Sequence, residues 1–243
     1  KDEIIQYFVD DKYSWVVATI KSEIDLDVVV WVKNIYEFYQ FLNKTLDKYG
    51  DYFETYSISI YTEAKVYEKT YLLPEKKVDD RLIGSMRCGC QPVSIDETDY
   101  KLLNELAVNA RAPLVDLADK IGCSSQNVKY RIKKLVESKV IKAFRVNIDL
   151  PSLDLNTYKI DIYLKDHKLK KPVFDYLKSK PYLEFMNFAL GWADLEPELV
   201  VKDFNELLKV LDEINATFSG AIKKQSFFII EEEHKLRCLP EIF

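Results

Sequence analysis

Between Ser124 and Lys142 the basic side chains Lys129, Arg131, Lys133, Lys134, Lys139 and Lys142 face one acid, Glu137, a local balance of +5 in a chain whose formal charge is -5. A run of this kind can hold a polyanion, because each ammonium or guanidinium that meets a phosphate displaces a condensed counterion. Val128, Ile132, Leu135 and Val136 recur at helical spacing and read as an inner face. Ser125, Gln126, Lys129, Tyr130, Lys133 and Lys134 are left facing outward, with Arg131 beside them. Gln pairs with adenine, and Lys or Arg with guanine or phosphate. Ser125, Gln126, Lys129 and Tyr130 are therefore expected at base edges or the groove, and Arg131, Lys133 and Lys134 mainly at phosphates. The competing reading is a solvated amphipathic helix whose lysines serve solubility.

Three helical patterns position these residues. Asp96 with Asp99 at N3 opens the first, whose apolar stripe is Leu102, Leu103, Leu106 and Ala110. The second starts near Pro113, buries Leu114, Leu117, Ala118 and Ile121, and stops at Gly122, the residue type suited to a left-handed C-terminal turn. Ser124 caps the third, with Asn127 at N3. Two helices across a tight glycine turn make a helix-turn-helix pattern, whose last helix has the width of a DNA major groove.

Around this module the chain repeats itself. Val32-Lys33-Asn34-Ile35-Tyr36-Glu37-Phe38 recurs as Val201-Lys202-Asp203-Phe204-Asn205-Glu206-Leu207, and both copies run on to Leu-Pro-Glu, at 73–75 and 239–241. The second copy reads as strand (157–164), helix from Pro172, hairpin (183–190 and 195–201), helix from Phe204 capped by Asp203, and strand (222–231). This β-α-β-β-α-β order is that of a ferredoxin-like sheet with two helices on one face. The first copy follows the same plan with a helix at 1–9, strands at 15–20 and 27–33, a helix at 36–49 and closing strand or strands within 55–73. Its opening strand is missing, so residues before Lys1 or another chain are expected to supply it. The expected fold is α+β: a winged or three-helix helix-turn-helix domain (94–149) flanked by ferredoxin-like domains at 1–75 and 150–243, with 76–93 as a linker.

Composition agrees with a globular chain of two or three domains: 243 residues, 48% hydrophobic and 31% charged, with six Gly and eight Pro. No apolar run approaches the roughly 18 residues of a membrane span, and nothing near Lys1 resembles a secretory signal. Cys88, Cys90, Cys123 and Cys238 do not form a disulfide framework, which points to a reducing cytoplasm. Cys88-Gly89-Cys90 offers two thiolates but no complementary pair at zinc-site spacing, and His167 and His234 fit neither a Ser-His-Asp order nor a phosphate loop. Neither a metal nor a cofactor is expected.

The stretches Ser94-Ile95-Asp96-Glu97-Thr98-Asp99-Tyr100-Lys101-Leu102-Leu103, Asn109-Ala110-Arg111, Asp116-Leu117-Ala118, Ile121-Gly122-Cys123-Ser124, Val128 to Leu135 and Val140-Ile141-Lys142-Ala143-Phe144 resemble the Lrp/AsnC family of feast/famine transcription regulators. The likeness runs from Ser94 to the end of the chain, and the first repeat looks like a second copy of that family's regulatory (RAM-type) domain. The resemblance implies recognition of double-stranded DNA by residues 124–138, a homo-oligomer or an intrachain pseudo-dimer of the two regulatory domains, and response to an amino acid or similar effector. Gly191-Trp192-Ala193-Asp194 matches the family's Gly-x-x-Asp turn, which implies effector contacts by Gly191, Trp192 and Asp194. Gly lets backbone amides approach a carboxylate and Asp can meet an ammonium. A ligand-free hairpin is the alternative. In the first repeat the aligned turn is Ser22-Glu23-Ile24-Asp25, without the Gly. Pro113 replaces the usual Ser or Thr cap, and two regulatory domains around one helix-turn-helix depart from the ordinary architecture. The other readings are a siroheme-decarboxylase-like enzyme on the same fold and an effector-binding assembly scaffold.

Overall fold

Alternation along 156–164 determines the largest core. In the computed structural model, which describes residues 1–73, 81–237 and 239, β5 (Asn156–Leu164) turns Tyr158, Ile160, Ile162 and Leu164 to one face. Val173 and Leu177 of α6 (Lys170–Lys178), Leu183 and Met186 of β6 (Leu183–Leu190), and Leu199 and Val201 of β7 (Glu196–Val201) meet them. Leu207, Val210 and Ile214 of α7 (Phe204–Thr217) complete this face. With β8 (Ile222–Leu236) the strand order is β8-β5-β7-β6, the ferredoxin-like order for a β-α-β-β-α-β chain.

The remaining elements are α1 (Asp2–Asp10), β1 (Ser14–Lys21), β2 (Leu26–Val30), α2 (Ile35–Tyr49), β3 (Ile60–Tyr67), β4 (Leu82–Arg87), α3 (Glu97–Val108), α4 (Leu114–Ile121) and α5 (Ser125–Glu137). The chain forms two units. One holds residues 58–92 and 142–230, the other 1–57, 93–141 and the chain from 231 onward.

In the first of these units, β3 pairs antiparallel with β6, Ala64 opposite Asn187, and on its other side with β4, Ala64 opposite Met86. Two expectations change. The segment expected as a linker carries strand β4, and the closing strand of the first repeat does not pair with the hairpin of that repeat. Residues 76–80 of the expected linker lie outside the described residues, as do 74, 75, 238 and 240–243.

In the other unit, β1 lies between β2 and β8, and Phe8, Val17 and Phe41 form its core with α1 and α2 packed alongside. Asn34 caps α2 by accepting from the Glu37 amide, as Asp203 caps α7 by accepting from the Glu206 amide. The repeat signature is therefore two equivalent helix starts. Glu37 and Glu206 each reach back to the backbone amide of the preceding lysine, Lys33 at 2.5 Å and Lys202 at 2.7 Å.

The three helices 97–137 bury Leu102, Leu103, Leu106, Leu117, Ala118, Val128 and Leu135, and Leu239 packs against the same cluster. Arg237 donates to Asn104 of α3 at 3.0 Å and, through its backbone amide, to the Trp15 carbonyl at 2.8 Å. No strand occurs between α5 and β5, so the module is of the three-helix kind rather than winged. Ala110 follows the end of α3, and Leu114 and Val136, expected inside, are 38% and 39% exposed. Ile132, on the intended face, stays partly buried against the cluster.

Candidate nucleic-acid interface

Helix α5 is set by its two ends and by one ion cluster. Gly122 takes the left-handed conformation (φ 71°) that ends α4. Two residues later the Ser124 hydroxyl accepts from the Asn127 amide at 3.2 Å. Ser124 is therefore spent on starting the helix.

Along the helix the side chains separate into two groups. Gln126, Lys129, Tyr130, Lys133 and Lys134 are exposed, Tyr130 at 65%, and Ser125 is half-buried. This is the outward face expected for base and phosphate contacts. Lys133 has an i,i+4 partner in Glu137 at 3.7 Å, a solvent-screened contact that a phosphate can displace.

Arg131 belongs elsewhere. One guanidinium nitrogen reaches both Asp96 oxygens at 2.9 and 2.8 Å and Asp99 at 2.6 Å, and its Nε reaches Asn127 at 2.7 Å. Asp99 is buried and is also the N3 residue of the α3 capping box. The arginine thus ties the recognition-helix candidate to the start of α3, and it does not extend to a phosphate in this conformation. The adjacent guanidinium holds the Asp96 carboxyl below the usual carboxylate range, first through its hydrogen bond to Arg131 and then through that to the Asp99 amide. Spacing on the helix placed Arg131 at the edge of the outward face; only the acid pair at 96 and 99 signalled that it turns inward.

The hairpin between β6 and β7 forms where expected, and bonds within the chain already engage its polar side chains. Gly191 has φ 86°, and a Cβ there would lie 3.1 Å from the Ile58 carbonyl oxygen, so the glycine serves a turn and a close strand approach. The Asp194 carboxylate accepts from the Leu164 amide at 2.8 Å. The Trp192 indole N–H donates to Asp161. Trp192 and Asp194 thus hold the hairpin against β5, while Gly191 serves the turn beside Ile58. Replacing Asp194 by Ala should leave the Leu164 amide without its acceptor, at about 1–2 kcal/mol, a fall in melting temperature of roughly 2–8 °C. Asn, which retains an acceptor oxygen, should restore most of it. A thermal melt in which Ala and Asn behave alike overturns this bonding role.

Cys88 and Cys90 are exposed free thiols, and His234 lies 3.3 Å from the Thr19 hydroxyl and 3.6 Å from Glu232. No group of three or more metal-ligating side chains occurs among the described residues, and among them no helix is long and apolar enough to cross a membrane.

Comparison with known proteins bears on the same segment. Residues 95–136 match the model of the AsnC-type helix-turn-helix domain. A proline dehydrogenase transcriptional activator of Rhodobacter capsulatus is 35% identical over 140 residues, 56% of this chain and 91% of that protein. A helix-turn-helix-type transcriptional regulator of Pyrococcus furiosus is 29% identical over 145 residues, 57% of this chain and 97% of its own length. Other regulators match at 40% identity over 63 residues, 42% and 43% of their lengths. Among solved structures, a transcriptional regulator of Neisseria meningitidis in complex with L-Met superimposes with a TM-score of 0.53 at 23% identity, over 60% of this chain and 97% of that one.

Proposed function

We propose, since the chain belongs to the AsnC/Lrp family of helix-turn-helix transcription regulators, that α5 lies in the major groove of its operator and reads it with Gln126, Lys129 and Tyr130, while Lys133 and Lys134 contact phosphates. Ser125 stands at the rim of this face. Ser124 and Arg131 hold the helix rather than touch DNA. The observation that carries this reading is the exposed polar and basic face of α5 opposite the buried Val128 and Leu135, on a helix tied to α3 by a guanidinium. A helix that reads base edges must have a fixed register, because its first turns select the contacts.

The chain is a regulator and not an enzyme: its relatives are transcription regulators, and nothing favours decarboxylase chemistry. The finer features form part of the same proposal. The two repeats, 1–75 and 150–243, flank the helix-turn-helix segment 94–149 in sequence, while the chain folds as the two units given above. The first repeat follows a ferredoxin-like plan whose closing strand pairs with β6. Assembly runs through these repeats, between copies or within one chain. Action on DNA places the protein in the cytoplasm. An amino-acid effector is supported by the Neisseria regulator solved with L-Met; it binds beside the 191–194 hairpin through backbone groups, because Asp194 and Trp192 are already engaged.

Single substitutions test the interface. Lys133→Ala should weaken binding to all duplexes alike and reduce the slope of log affinity against log salt by about one. Gln126→Ala should instead narrow the gap between operator and random duplex, by roughly 1–3 kcal/mol at the base it reads. Titration of labelled duplexes at several salt concentrations measures both. If neither variant moves slope or discrimination, α5 is not the reading helix.

A further inference from the structure

A second basic surface lies in the unit formed by residues 58–92 and 142–230, on segments that the helix-turn-helix does not include. Residues 162–171 and 218–225 together carry Lys165, Lys168, Lys170, Lys171, Lys223 and Lys224 against Asp166 alone, a balance of +5 in a chain of -5. The fold brings the two segments together. The Lys165 amide donates to the Ala221 carbonyl at 2.9 Å, Leu164 pairs with Ile222, and Tyr163 pairs with Lys224. Beyond Lys165 the chain makes a tight turn in which Asp166 accepts from the Lys168 amide, so Lys168 remains beside the end of β5. Lys165, Lys168, Lys171, Lys223 and Lys224 are all exposed. Lys171 is paired with Asp175, and Lys224 extends over the Tyr163 ring at 5.7 Å.

Like charges gathered at one sheet end repel one another, and the three acids beside them, Asp166, Asp175 and the Asp194 bonded to the Leu164 amide, do not offset them all. A polyanion relieves that repulsion. The composition of the patch narrows the kind of polyanion and the kind of contact. It contains no arginine, the residue suited to bidentate contacts with guanine edges, and lysines act on phosphates as point charges. Among the described residues of these segments no large hydrophobic side chain is exposed, so the surface lacks the apolar anchors on which protein partners and membrane interfaces rely. What remains is a surface for phosphates that carries no sequence information.

We infer that this lysine patch binds the backbone of duplex DNA without regard to sequence, as a second contact independent of α5. Its role is to raise affinity and retention on any duplex, leaving selection of the site to α5. The inference goes beyond the reading of α5 and does not require it.

The test uses the full chain in two charge-reversed forms. One carries Lys165→Glu, Lys168→Glu, Lys223→Glu and Lys224→Glu; the other has Lys129, Lys133 and Lys134 changed to Glu. Both are checked by circular dichroism, with Gln in place of Glu at the four patch positions as a milder version. Binding to a long duplex lacking an operator is followed across a salt series. The patch variant should lower the salt slope by about two or more, at about 0.9 per lost phosphate contact, while preserving the ratio of operator to random binding. The α5 variant should retain weak salt-dependent binding, which disappears when the patch is reversed as well. A slope change below about two in the patch variant, with folding intact, overturns the inference and leaves the α5 reading untouched. Unchanged operator binding by the α5 variant overturns the α5 reading alone.

Discussion

Converting Lys129, Lys133 and Lys134 to Glu should lower operator affinity by on the order of a thousandfold at about 0.1 M salt and flatten the salt dependence by about two in slope. The reversals at Lys133 and Lys134 each remove a phosphate contact, that at Lys129 removes a base contact, and all three add a repulsion; the three side chains are exposed on one helix, so the fold has little reason to respond. Far-UV circular dichroism and the melting temperature should stay at their wild-type values. Arg131 behaves oppositely in this scheme. Arg131→Met leaves the buried Asp99 carboxylate without its guanidinium, and an uncompensated buried charge is strongly destabilising. Its effect on DNA should come with a lower melting temperature and a loss of discrimination between duplexes, while the salt slope of whatever binding remains is preserved. The pair of variants separates contact from positioning. If the three glutamates leave retention intact, or if Arg131→Met reduces the salt slope by one without any change in stability, the division of labour along α5 is wrong. The cluster is complete at neutral pH. Because the Asp96 pKa is depressed in the folded chain, its stabilisation is present above the ordinary carboxylate range and is lost only as pH falls through the lowered value.

Local chemistry made much of this legible. Caps at Asn34, Asp96, Ser124 and Asp203, the left-handed Gly122 and the alternation of β5 depend on residues within a few positions of one another, and each produces the element expected of it. What escaped depends on pairing over distance. Leu82-Ile83-Gly84-Ser85-Met86-Arg87 has no clear period, yet it is a strand because β3 offers it a free edge. Within β3 nothing announces that its other neighbour is β6, more than a hundred residues away. The same holds for side chains. Arg131, Trp192 and Asp194 have the composition of ligand-binding groups, and each is instead bonded to its own chain. Spacing identifies which residues can meet a partner; only geometry tells which have already met one. In the reverse direction, the lysines of 162–171 and 218–225 are unremarkable in sequence, since β5 and β8 must pair before the two runs become one surface.

Arg81 is the clearest case of a residue whose weight no local pattern reveals, and Arg81→Ala should be among the most damaging single substitutions in the chain. It is 6% exposed. One guanidinium nitrogen donates to the Thr70 hydroxyl at 2.9 Å and to the Pro181 and Leu183 carbonyls at 3.3 Å each. The other donates to the Lys178 carbonyl at 2.9 Å and to that of Lys180. These carbonyls belong to the last turn of α6 and the turn into β6, where helix geometry leaves acceptors without intrahelical donors. The cation also sits 5.5 Å from the centre of the Tyr67 ring, and the side chain thereby fastens Thr70 and the start of β4 to the α6–β6 turn. Burial pushes its pKa down, but an arginine remains charged at any ordinary pH. Removing it strands several buried acceptors together, each costing about 1–3 kcal/mol if left unmet. Partial rehydration would reduce that total, so the expected loss is about 3–5 kcal/mol. Lysine supplies one point donor where a planar fork reaches six acceptors, the Glu68 carbonyl at 3.4 Å among them, so Arg81→Lys should recover only part of it. Urea unfolding measures this directly: the midpoint should fall for both variants, further for Ala, with the slope of the transition unchanged. An unfolding free energy within about 1 kcal/mol of wild type for Arg81→Ala would mean that water satisfies these carbonyls as well as the guanidinium does, and that strand pairing alone holds β4 in place.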